Sequence, residues 1–251
     1  MPTTITDTVN EKSGWIISEL RSGVGLDSEF SSLKMQDKEQ VLEQMANVLK
    51  AIQTTKLPES AIFGGVTFDS DGRIVSGQAP LRKGEPVKSY AEWRVSKLRG
   101  QLQEAARSPV IQGWKRNGVD ARIEKFLAAD GPGKILSNVD PDQKSLIHGD
   151  FSTYAPFQSS HPLTDNIKTT NNVLFDKDTK KLTAVLDFDW SDISNPLDEF
   201  MCSLQDVGGN IRHENKKIEA AILSGDFTWP PDNLDEASVK QWQVAKAWNA
   251  A

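Results

Sequence analysis

Three polar residues between Leu146 and Phe200 have the types and spacing to do chemistry together. Asp150 stands in Leu146-Ile147-His148-Gly149-Asp150-Phe151, Asn172 in Asn171-Asn172-Val173-Leu174-Phe175, and Asp187 in Leu186-Asp187-Phe188-Asp189-Trp190. A carboxylate on a loop can orient an attacking hydroxyl, and carboxylate and amide oxygens suit a hard divalent cation such as Mg²⁺. Phosphoryl transfer asks little more of a protein than a base for the accepting hydroxyl and oxygen ligands that fix the metal on the phosphates.

The elements that must hold these groups are short. Residues 145–148 read as a strand entering a loop, 173–175 as a second strand, 177–181 as a polar turn and 183–186 as a third strand. Asp150 then sits on the loop, with Asn172 and Asp187 at adjacent strand ends. These blocks, with Asn195-Pro196-Leu197-Asp198-Glu199-Phe200 behind them, resemble the aminoglycoside phosphotransferase and choline kinase-like family, and within it the large fungal branch. The likeness extends more loosely from Trp15 to Trp248.

The resemblance implies an α+β, protein kinase-like fold, of which this chain holds the large C-terminal lobe, mostly helical with short catalytic-loop hairpins. Residues 1–25 would be the last strand of the small lobe and the hinge; residues 26–251 would be the large lobe, with the catalytic region at 145–200. It also implies ATP as phosphoryl donor, Mg²⁺ as metal and a small-molecule hydroxyl as acceptor. By the same resemblance Asp150 is the catalytic base, Asn172 and Asp187 are metal ligands, and Asp189 is a lesser candidate near the metal. Glu19 and Leu20 would lie near the adenine, and His148 would brace the loop through its backbone.

Two departures from the family pattern matter. The Gly-rich strand pair, the phosphate-gripping lysine and its glutamate precede the hinge in the family, and residues 1–14 are too few to supply them. A kinase-like binding or scaffold protein without transferase activity, or an incomplete gene model of a full-length kinase, therefore stand beside an active enzyme. The metal-binding Asn also comes late: residues 154–170, rich in Ser, Thr, Pro and Asn, separate the loop from Asn172. Without them the line reads His-Gly-Asp-Phe-Ser-Thr-Asn-Asn-Val-Leu-Phe. The segment is either an inserted loop or a retained intron, since Thr153-Tyr154-Ala155 can be encoded to contain GTATG, a common start of short fungal introns, and Leu163-Thr164 to contain CTAAC, a common branch sequence. His161 and Asp165 within it read as solvated rather than as a metal site.

Composition narrows the class. With 251 residues, 37% apolar and 25% charged, the chain can bury a core as one domain or one large lobe. A net charge of -6 and no basic run argue against a nucleic-acid surface. No apolar stretch is long enough for a membrane span and no leader pattern opens the chain, so a cytoplasmic site is expected. The single cysteine, Cys202, excludes an internal disulfide and reads as a packed thiol. Oligomeric state is not legible.

The remaining elements read as scaffold. Residues 15–20 suggest a strand, and Gly23 and Gly25 a turn rather than a phosphate loop. Asp37 is placed to cap a helix with Gln40 completing a capping box, followed by Val41, Leu42, Met45, Val48, Leu49 and Ile52 as an apolar stripe. Residues 62–68 and 73–75 flank a hairpin turn. A helix over 90–106 would turn Trp93, Leu98 and Leu102 inward and Arg, Lys and Gln outward. A shorter one over 122–129 would end at Gly131-Pro132-Gly133. After Phe200, Met201, Leu204 and Val207 would face inward; residues 214–223 form another helix, and Val239, Trp242, Ala245 and Trp248 stripe the last. The seven Trp residues read as packing groups.

Overall fold

The computed structural model describes residues 19–78, 84–111, 113–151, 172–202 and 215–251. Residues 15–18, most of the expected first strand, the insertion at 154–170, and Leu204 and Val207 lie outside them, as does the Cys202 side chain.

The described chain opens with β1 (Val24–Gly25), α1 (Leu26–Phe30) and α2 (Met35–Gln53), then the hairpin β2 (Gly64–Phe68) and β3 (Ile74–Gly77). Helices α3 (Tyr90–Arg107), α4 (Gly113–Arg116), α5 (Val119–Ala128) and α6 (Gly131–Ile135) lead to β4 (Ser145–Ile147). Beyond the insertion come β5 (Val173–Asp176), β6 (Lys181–Val185), a 3-10 turn (Phe188–Trp190), β7 (Asp192–Ser194) and α7 (Pro196–Cys202). Helices α8 (Lys216–Ser224) and α9 (Glu236–Ala250) close the chain. The fold is α+β.

Among the described residues the strands form two antiparallel sheets, ordered β1-β5-β6 and β3-β2-β7-β4. The first pairs Val173 with Val185, which sets Asn172 and Leu186 side by side just beyond the register. The second pairs Leu146 with Ile193 and Ile147 with Asp192, so the strand feeding the loop is fixed to β7, which follows the 3-10 turn after Asp187. Helix α2 lies against the first sheet. Val41, Leu42, Met45 and Leu49, one stripe at helical spacing, share a buried cluster with Phe151, Val173 and Phe175. The Gln44 amide accepts from Leu182 N (3.1 Å) and donates to Lys180 O (2.9 Å), closing backbone groups along β6 that an edge strand would leave open.

Several expectations are revised. Glu19 and Leu20 belong to no strand; the strand beside β5 is Val24–Gly25, so Gly25 lies in a strand rather than a turn. Gly23, at φ 138°, passes so close to β6 that a Cβ would sit 2.7 Å from Thr183 Oγ1. Helix α2 starts at Met35 without a side-chain cap, and Asp37 lies inside its first turn, where its charge still complements the helix dipole. Gly131-Pro132-Gly133 opens α6 rather than only ending α5. Lys97 points inward, and Met201 and Val239 are exposed instead of packed. Trp93 and Trp242 are core residues, whereas Trp229 is 83% exposed. Among the described residues, no helix is long and apolar enough to cross a membrane.

Candidate active site

The loop after β4 is pinned before it reaches Asp150. The buried Glu199 carboxylate of α7 accepts the backbone N–H of His148 (2.5 Å) and of Gly149 (3.1 Å). Ser191 Oγ donates to His148 O at 3.4 Å. The His148 ring lies between Phe151 and Phe188, with its Nε2 2.8 Å from Leu186 O. A carbonyl only accepts, so Nε2 carries the hydrogen and Nδ1 is left to accept from Asp150 N at 3.3 Å. His148 therefore braces the loop with its ring as well as its backbone.

Gly149 has φ 79°, and a Cβ there would run into the Trp190 carbonyl oxygen. Gly149→Ala is expected to cost at least about 1–2 kcal/mol for the left-handed backbone alone. Pinning by Glu199 prevents the loop from moving aside, so a measured loss by denaturant titration should exceed that floor.

Asp150, half-buried, meets Asn172 directly although 22 positions separate them. Asn172 Nδ2 donates to Asp150 O (2.8 Å) and Oδ2 (3.0 Å). Both partners are acceptors, which fixes the amide orientation and leaves Oδ1 facing the other way. That oxygen is buried and has no hydrogen-bond partner among the described residues. An orphaned buried carbonyl costs about 1–3 kcal/mol. A hard cation, which takes neutral amide oxygens readily, would relieve it.

Asp187 arrives beside Asn172 through the backbone: Leu186 N donates to Asn172 O at 2.8 Å. It adopts φ 60°, ψ 68°, a left-handed conformation that Asp tolerates, and no described residue holds its half-buried carboxylate. Asn172 Oδ1 and the Asp187 carboxylate are the groups that could hold a metal. Asp189 lies exposed on the 3-10 turn. Among the described residues no three His, Cys, Asp or Glu side chains gather around a metal position. Glu19 pairs with Arg21 at the surface (2.9 Å) and Leu20 is 96% exposed; the structure does not bring them to the Asp150–Asn172 pair.

Sequence reasoning gave Asp198 and Glu199 no role, although two adjacent acids in an apolar segment were a signal. Asp198 is buried and accepts from Tyr90 Oη (2.6 Å), Ser194 Oγ (2.7 Å) and Arg94 (2.8 Å), with Lys97 Nζ 3.6 Å away. Lys97 also meets buried Asp192 on β7 at 2.8 Å. Tyr90, Arg94 and Lys97 recur on one face of α3. Burial pushes the Asp198 carboxyl up, but Lys97 and Arg94, with hydrogen bonds from Ser194 and Tyr90, outweigh it and hold it below its ordinary value.

Two hollows lie elsewhere. One, about 260 Å³, is lined by Ala46, Phe200, Ile222, Phe227, Ala245 and Trp248, among others. The other, about 350 Å³, lies between α3 and α6, beside Val95, Arg99 and Asp130.

No family model matches the sequence, and no curated protein matches it. Among solved structures, the chain is similar to the apo form of a thermostable mutant of aminoglycoside phosphotransferase APH(4)-Ia. The match has 18% identity and a TM-score of 0.46 and covers 100% of this chain and 77% of the other.

Proposed function

We propose that the chain is a kinase-like phosphotransferase lobe of the aminoglycoside phosphotransferase type, spanning residues 26–251 behind a hinge segment at 1–25, that moves the γ-phosphoryl of ATP to a hydroxyl of a small molecule. The observation that carries this reading is the Asp150–Asn172 pair, whose buried amide oxygen has no partner among the described residues. Asp150 takes the hydroxyl proton as the new P–O bond forms and ADP leaves. Asn172 holds the Asp150 carboxylate in place and, with Asp187, presents oxygens to a divalent cation. Bound Mg²⁺ would offset charge on the phosphates. The acidic net charge of -6 suits a small acceptor rather than a nucleic acid.

A second reading, a kinase-like module that does not transfer phosphate, is favoured by the exposure of Glu19 and Leu20, the two residues expected beside the adenine. Calorimetry separates the two. If the first holds, ATP binds the whole chain only with Mg²⁺ present, and Asn172→Leu weakens that binding at least about tenfold, as expected when a metal ligand is lost. Absence of Mg²⁺-dependent binding by the whole chain rejects it in favour of the second.

A further inference from the structure

Helix α7 is gripped on two sides. On one, Asp198 meets three residues of α3, and Lys97 ties the same helix to β7 through Asp192. On the other, Glu199 holds the His148 and Gly149 amides. Successive helical residues point about 100° apart, so fixing Asp198 toward α3 fixes where Glu199 points. Both grips act on the first turn of α7, so together they set its rotation.

We propose that Lys97 is a positioning residue for the catalytic loop, acting through α7 and Glu199 to place Asp150. Stability alone does not call for an ionic centre here, because packed apolar groups serve as well or better in such places. What charge adds is direction: Lys97 has two carboxylate partners on two elements and holds both only when α7 is turned one way. That Asp150 is the working group rests on the phosphotransferase reading; the link from Lys97 to the loop does not.

Amide hydrogen exchange on the whole protein, read at His148 and Gly149, tests the link without needing any ligand. Ile218→Ala serves as the control, because Ile218 sits in the separate cluster of α8 and α9 with Phe227 and Trp242. Compared at equal distance below their unfolding midpoints, Lys97→Met should speed exchange at these two amides about tenfold more than the control does. Adding Lys97→Met to Glu199→Gln should change those amides no further than Glu199→Gln alone, the non-additivity expected of groups acting in series. Acceleration no greater than in Ile218→Ala, or additive effects in the double variant, overturns the proposal. If Lys97→Met does not fold, Tyr90→Phe decides: it removes one hydrogen bond to Asp198 and should speed the two amides about threefold, and unchanged exchange rejects the link. Exchange that behaves as expected in a protein showing no Mg²⁺-dependent ATP binding would leave the positioning role standing and remove only the phosphotransferase reading.

Discussion

Replacing Asp198 by alanine is expected to lower the unfolding free energy by about 3–5 kcal/mol at neutral pH, the usual cost of removing one partner from a buried ionic group. Arg94 is partly exposed and can turn to water, and Lys97 keeps Asp192. Tyr90 Oη and Ser194 Oγ, however, lose a charged acceptor. The pH dependence tests the electrostatic part. Despite burial, which pushes it up, the folded Asp198 carboxyl lies below its ordinary value because Lys97 and Arg94 outweigh that penalty. A depressed carboxyl contributes stability that is fully present above the unfolded value near 3.9 and is lost as pH falls through the lower folded value. Denaturant titrations of the two proteins should therefore converge as the solution is acidified through that window. A gap that stays constant would mean that packing, and not charge, sets the cost.

The sequence made the site's skeleton legible because its signals are local. Apolar runs broken by His148-Gly149-Asp150, a polar turn after Asp176 and an apolar strand ending at Asp187 fix β4, β5 and β6, and strand period does the rest. The same holds for the α2 stripe and for the hairpin around Gly72. What escaped was long-range. Lys97 reads as a solvent-facing residue because lysines are seldom buried without partners, and its partner Asp192 lies 95 positions away. Glu199 looks like an ordinary first-turn acid until β4 is laid beside α7, 51 positions from His148. The start of α2 at Met35 and the pairing of Val24 with Phe175 are likewise decided by packing. No local cue marks them.

Asp150→Ala is expected to reduce Mg²⁺-ATP-dependent transfer by about 10²–10⁴-fold, the range for loss of a positioned general base, while the protein stays folded. Asn172 keeps its contact to the Asp150 carbonyl oxygen, which any residue at 150 retains, so the amide should hold its place and ATP binding should change little. The effect should fall on kcat rather than on KM, since the lost interaction forms with the proton leaving the hydroxyl. Asp150→Asn sharpens the test. It preserves volume and an oxygen acceptor but cannot take a proton, and its amide nitrogen, if turned toward Asn172 Nδ2, would set donor against donor. ADP release measured with choline and with amino sugars as trial acceptors should therefore drop alike in both variants. If Asp150→Asn keeps its rate within about tenfold of the unaltered protein, less than loss of a general base costs, the carboxylate positions rather than deprotonates the acceptor. The base must then be sought elsewhere on the loop.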